Sequence, residues 1–171
     1  MQRAIVIGCP GSGKSVFARA LAAATGLPLH HLDMMNWNPD RTTVPDQVFL
    51  DRLNAVLDGP RWIIDGNYRG TIELRMRACD AIFFLDYPTE VCLEGVLSRQ
   101  GRLRPDMPWI ERPGERDEKF LDFIRNYPRD SRPGVLALLE KYRDREIHAF
   151  KSRREADRYL EELRNNPEED A

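Results

Sequence analysis

Eight consecutive residues, Gly8-Cys9-Pro10-Gly11-Ser12-Gly13-Lys14-Ser15, carry the pattern G-x-x-x-x-G-K-S/T. Glycines at such spacing let backbone N–H groups curl around an anion, and the start of a following helix adds the positive end of its dipole. A lysine at the seventh position reaches the terminal phosphates, and the serine hydroxyl after it can ligate Mg²⁺. The flanks suit the motif. Ala4-Ile5-Val6-Ile7 has the composition of a buried strand, and Val16-Phe17-Ala18-Arg19-Ala20-Leu21-Ala22-Ala23-Ala24 is rich in helix formers, with Gly26 and Pro28 to stop it. The expectation is a nucleoside-triphosphate site built from Gly8, Gly11, Ser12, Gly13, Lys14, Ser15 and Val16.

Other residues have types and positions that suit phosphoryl transfer. Asp33 closes His30-His31-Leu32, where a carboxylate would face the same crevice as the loop and could take or orient a hydroxyl proton. Asp65 closes Trp62-Ile63-Ile64 and precedes Gly66-Asn67-Tyr68-Arg69, the position of an acid that serves the metal. Asp86 ends Ala81-Ile82-Phe83-Phe84-Leu85 but stands before Tyr87-Pro88-Thr89-Glu90, which reads as a helix start capped by Asp86. The chain has 22 Arg against 4 Lys, and Arg99, Arg102, Arg104, Arg112, Arg116, Arg125, Arg129 and Arg132 crowd one stretch. Arginine's planar fork neutralises a transferring phosphoryl group, and ion pairs with nearby carboxylates are the competing role. Trp37, in a Pro/Asn loop, either stacks on a substrate ring or packs. The histidines and cysteines lack zinc spacing.

The elements that must hold these residues alternate. Strands are expected at 4–8, 28–32, 62–65, 81–85 and 146–150, and helices at 14–25, 46–57, 71–79, 89–100, 115–126, 134–142 and 153–163. That alternation predicts a three-layer α/β fold with a five-stranded parallel sheet, as one domain over 1–171. Two stretches interrupt it: a substrate-binding insertion at 34–60, and an Arg- and Pro-rich lid at 99–116. An acidic tail is expected at 165–171. A net charge of −2 argues against a surface built for nucleic acid, and no apolar run reaches membrane-spanning length. The three cysteines are odd in number and widely spaced, which suits reduced thiols and a cytoplasmic location, with no signal peptide at the N-terminus. Cys9, inside the loop, is either oxidation-sensitive or merely small enough to fit.

With these residues in view, the chain resembles the adenylate-kinase-like group of phosphate-loop kinases, and in particular the DNA-topology-modulation proteins. The resemblance rests on the loop at 8–15, on His31-Leu32-Asp33 with Trp37 and Pro39, and on Asp65-Gly66-Asn67-Tyr68. Phe84-Leu85-Asp86-Tyr87-Pro88 and Arg104-Pro105-Asp106-Met107 complete it. It implies an adenylate- or shikimate-kinase-like fold with a nucleotide-monophosphate-type insertion, and ATP and Mg²⁺ as cofactors, the metal at Ser15 and Asp65. Lys14, Asp33, Asp65, Arg99, Arg102 and Arg104 would be catalytic. Asp33, Trp37, Asn67, Tyr68 and Arg69 would face the acceptor, and Lys151 and Ser152 would lie beside the adenine. Two positions depart from the family's usual pattern: Pro108-Trp109-Ile110-Glu111 replaces a common Gly-Cys-Pro-Glu run, and Arg41 stands where a second Trp is common.

The function expected is Mg²⁺-dependent transfer of the ATP γ-phosphoryl to a small-molecule or nucleotide acceptor, by a monomer or dimer. The alternative is a regulatory ATP-binding protein that affects DNA topology or a protein partner. A GTPase switch is disfavoured, because no Asn-Lys-x-Asp run occurs.

Overall fold

The structure, a computed structural model, describes residues 1–110, 112, 114 and 117–165. Five strands form its sheet: β1 (Arg3–Gly8), β2 (Leu29–His31), β3 (Trp62–Asp65), β4 (Ala81–Leu85) and β5 (Glu146–Phe150). Their order is β2-β3-β1-β4-β5 and every pairing is parallel. Parallel strands need crossovers, and helices supply them: α1 (Lys14–Thr25), α2 (Leu32–Asn36), α3 (Asp46–Leu57), α4 (Arg69–Ala78), α5 (Thr89–Arg99), α6 (Glu118–Asp130), α7 (Arg132–Lys141) and α8 (Arg153–Asn165).

Strand residues alternate between two apolar layers, so the central strands read as unbroken hydrophobic runs. Ala4, Val6, Ile63 and Phe83 pack on one side with Phe17 and Leu21 of α1, Cys92 and Val96 of α5, Ile124 of α6 and Leu160 of α8. Ile5, Ile7, Ile64 and Phe84 pack on the other with Phe49 and Leu53 of α3, Met76 of α4 and Leu139 of α7. The chain leaves β1 for β2 on one side of it, while β4 lies on the other. A crevice therefore opens at the carboxyl end of β1, where the glycine loop sits.

The elements follow the expected alternation, with three informative differences. β2 stops at His31 because the chain turns straight into the short helix α2, which the periodicity did not reveal. α6 begins at Glu118, capped by Asp117, whose carboxylate accepts from Phe120 N at 3.1 Å. It then runs through Pro128 instead of ending at Asn126. The expected start of that helix at Glu115 and the acidic tail after Asn165 lie outside the described residues. No described helix is long and apolar enough to cross a membrane.

The glycine loop is pressed against α5. A Cβ on Gly11, whose φ is +84°, would come within 1.9 Å of the Cys92 carbonyl oxygen, and a Cβ on Gly95 within 2.0 Å of the Gly11 carbonyl oxygen. Two backbones thus meet with no room for a methyl group, and Gly95 lies in a helix, where no conformational argument favours glycine. Gly95→Ala should therefore destabilise the fold by about 1–3 kcal/mol through overpacking. Chemical denaturation followed by circular dichroism measures this, with Gly134→Ala, which enters open space, expected to leave stability unchanged or slightly higher.

Candidate functional site

The glycine loop begins where β1 ends. Gly13 caps α1 with φ +91° and without any side-chain hydrogen bond, so the first N–H groups of the helix point towards the crevice without a capping side chain. Ser12 N donates to the Cys9 carbonyl at 3.1 Å, and the Lys14 ammonium donates to the same oxygen at 3.1 Å. Burial pulls the pKa of Lys14 down, while the negative charges of Asp65 and Asp33 act to keep it protonated. Cys9 is buried. A hydrogen bond with Cys92, together with burial, pushes its thiol pKa up, the environment of an unreactive packing cysteine.

Strand order brings the two carboxylates to the loop. Asp65 ends β3, paired with Val6 of β1, and Asp33 lies in the first turn of α2, just after β2. Asp65 is 4% exposed, and its Oδ2 lies 2.8 Å from His31 Nδ1 while its Oδ1 has no protein partner. Asp33 accepts a hydrogen bond from the Tyr68 hydroxyl at 2.9 Å. Burial raises the pKa of Asp33, the Tyr68 hydrogen bond lowers it in part, and neighbouring Asp65 raises it again.

Two cavities flank the loop. One, of about 820 Å³, lies over Gly11, Gly13, Ser15 and Val16 and reaches Arg102 and Arg153. The other, of about 710 Å³, holds Lys14, Asp33, Asp65, Asn67, Tyr68, Trp37 and Trp109. Gly11, Ser15, Arg99, Arg104 and Asp106 line both. Of the crowded arginines, Arg99, Arg102 and Arg104 are therefore at the cavities. Arg125 instead pairs with Glu118 and Asp122, and Arg129 with Asp130. Arg132 pairs with Asp86 at 2.7 Å, Arg112 is exposed, and Arg116 lies outside the described residues.

Asp86 does not cap α5, whose cap residue is Pro88. Its carboxylate accepts from Arg132 Nε and Nη2 and from the Lys151 ammonium, and so ties the end of β4 to α7 and to the loop after β5. Ser152 opens α8, its hydroxyl accepting from Glu155 N at 3.3 Å. In this region the first cavity is lined by Arg153, while Lys151 and Ser152 stand outside its lining. Arg69 is exposed and also outside the lining of both cavities. Trp37 takes the packing role. It packs edge-on to Trp109, with centroids 5.9 Å apart, and it also lines the second cavity. Arg41 lies over the ring of Trp109, 4.8 Å from its centroid.

Sequence reasoning missed Arg75. This fully buried arginine of α4 faces carbonyl oxygens, donating to Gly66 O at 2.8 Å, to Asn67 O, to Tyr68 O at 3.4 Å and to Thr71 O at 3.2 Å. It braces a strained turn, because Tyr68 adopts φ +38°, a left-handed conformation unusual for a bulky residue. Burial pulls the Arg75 pKa down to about 9, still well above neutrality, so the guanidinium remains charged. The signal was available: Ile72, Arg75 and Met76 share the buried face of α4. Asp106 was quoted only as part of a motif. It is buried and pairs with Arg104 at 3.0 Å and Arg19 at 3.4 Å, so it pins the lid to α1.

No family model matches the chain, and no curated protein matches it. Solved structures do. Shikimate kinase from Bacteroides thetaiotaomicron superposes with a TM-score of 0.57 at 19% identity, covering 98% of each chain. The fold is that of the phosphate-loop kinases. A gluconokinase from Sinorhizobium meliloti 1021 has a TM-score of 0.53 at 18% identity, over 97% of this chain and 95% of its own. Shikimate kinase from Aquifex aeolicus has 0.52 at 16%, over 97% and 96%. Likeness at these identities speaks for the architecture, and the chemistry must be argued from the side chains.

Arg75→Met removes the donors while keeping most of the length. Three loop carbonyls would lose their partner, and the expected loss of stability is about 2–4 kcal/mol. Denaturant titration gives the number. A loss below 0.5 kcal/mol would mean that water replaces the guanidinium and that the turn does not depend on it.

Proposed function

We propose that this chain is a phosphotransferase that moves the γ-phosphoryl group of ATP to the hydroxyl of a small acceptor. The observation that carries this is the pair of cavities sharing Gly11, Ser15, Arg99 and Arg104, with Lys14 and both carboxylates in the second. A donor on one side and an acceptor on the other would meet at that seam. A protein that only sensed a nucleotide would not need the second cavity to hold a proton acceptor. The regulatory reading has no comparable observation in its favour.

The residues divide the work by chemistry. The N–H groups of the glycine loop and of α1 bind the polyphosphate, and Lys14 neutralises charge on its terminal oxygens. Arg99 and Arg104 stand where charge builds on the phosphoryl group in flight. Asp33 accepts the proton of the acceptor hydroxyl as that oxygen bonds to phosphorus and the bond to the leaving ADP oxygen breaks. Its raised pKa makes it a better base than an exposed carboxylate. Ser15 and Asp65 fit a Mg²⁺ ion, since both offer hard oxygen donors and the buried Asp65 Oδ1 has no protein partner. When bound, Mg²⁺ would screen the charge between adjacent phosphates.

ADP release from Mg·ATP over a panel of hydroxyl acceptors tests the reading. An acceptor-stimulated rate should fall at least about 100-fold in Lys14→Ala, and by about 10²–10⁴ in Asp33→Asn. Acceptor-independent turnover in every case, with ATP still raising the melting temperature, would favour the regulatory alternative. The pH profile supplies an independent sign. Asp33 acts as a base only when ionised, so kcat/KM should fall as pH drops through its raised pKa. Tyr68→Phe removes a hydrogen bond that lowers that pKa, so the acid limb should move to higher pH.

A further inference from the structure

We infer that the acceptor presents its hydroxyl on a planar aromatic ring and carries few other hydroxyl groups. This deepens the phosphotransferase reading and rests on it for the reaction, though not for the binding. The argument begins with what is already engaged in the second cavity. The Asn67 side chain is turned to the glycine loop, receiving from Gly8 N at 3.1 Å and donating to the Gly8 carbonyl. The Tyr68 hydroxyl donates to Asp33 at 2.9 Å. Arg104 is paired with Asp106 at 3.0 Å, and Arg41 donates to the Ile110 carbonyl at 3.1 Å while lying on Trp109. A sugar or sugar acid brings several hydroxyls, each of which loses water on entering and needs a new partner. These groups, which could supply such partners, are already engaged; Asp65 Oδ1, the oxygen offered to the metal, and Trp109 Nε1 have no protein partner.

Beside Asp33 and charged groups such as Lys14, Asp65 and Arg99, much of the cavity wall is ring surface. Trp37, Tyr68, Trp109 and Phe120 all line it. These rings are held in place: Trp37 against Trp109, Tyr68 stacked on Phe49 at 5.0 Å, and Arg99 over Phe120 at 5.9 Å. Preordered aromatic surface binds flat rings at low entropic cost, and Asp33 provides one strong acceptor for one hydroxyl. The geometry thus suits a ring-borne alcohol with its hydroxyl directed at Asp33 and its ring against the indoles.

The test is tryptophan fluorescence, because Trp37 and Trp109 line the cavity while Trp62 is buried in the core. The probes are hydroxymethylpyridines and hydroxymethylpyrimidines against glucose and gluconate, each in saturating Mg·ATP analogue, followed by ADP release with ATP. The aromatic alcohols should quench saturably and stimulate ADP release, with the sugars at least tenfold weaker. Trp37→Leu and the milder Trp109→Phe should each raise the alcohol's Kd by about 5- to 10-fold and leave nucleotide affinity unchanged. Lys14→Ala should abolish transfer and keep the quenching, so saturable quenching without transfer in the unmutated chain would count against the kinase reading and not against this one. Stimulation by gluconate or glucose with no response to any aromatic alcohol would overturn the inference, as would wild-type affinity in both tryptophan variants.

Discussion

Asn67 exchanges two hydrogen bonds with the backbone of Gly8, and this exchange ties the end of β1 to the turn after β3. The tie works because Arg75 holds the backbone of the same turn from below, through the carbonyls of Gly66, Asn67 and Tyr68. One buried guanidinium therefore sets the turn, the turn aims the Asn67 amide, and the amide positions the first residue of the glycine loop. The same turn carries Tyr68, whose hydroxyl holds Asp33. The glycine loop and Asp33 are thus indexed to each other through a single brace, across two strands that are neighbours in the sheet but distant in sequence.

The brace matters because the site is electrostatically costly. Burial opposes the ionisation of Asp33, and the neighbouring charge of Asp65 adds to that opposition. The raised pKa of Asp33 means that the folded chain holds that proton more tightly than the unfolded chain, so ionising it lowers stability above the ordinary carboxylate range. Lys14 and Arg75 offset part of this, Lys14 through both carboxylates and Arg75 through Asp65. A fold that accepts this cost needs a well-packed support. Two apolar layers with fully buried Ile5, Ile7, Trp62, Phe83 and Phe84 provide it.

How much was legible in the sequence follows from the range of each interaction. The glycine loop, the strands and Asp65 are local patterns: a motif with its flanks, apolar runs, and an acid that ends one of them. Asp33 was legible by the same logic, although the helix α2 that carries it was not, being a single short turn with little periodicity. The partners of Asp86 were not legible. A carboxylate followed by Pro88 and Glu90 has a local explanation as a cap, while Arg132 and Lys151, which claim it in the fold, are far along the chain. The arginine stretch failed as a unit for a related reason. Its loop half reaches the cavities, but Arg125 and Arg129 sit on an exposed helix face beside carboxylates one to seven residues away, where local pairing decides.

Gly95 shows the limit of such reading most plainly. A glycine inside a helix lowers helix propensity, and nothing local explains it. Its reason is the Gly11 carbonyl at the distance where a Cβ would stand. α5 thereby becomes the back wall of the glycine loop, and it leads directly into Arg99 at its last turn and Arg104 just beyond. Asp106 pairs with both Arg104 and Arg19 of α1, so the segment just after α5 is held to the helix that follows the glycine loop. The close contact of two glycines and the position of the lid arginines are therefore one design: the helix that touches the loop also aims the charges that face it.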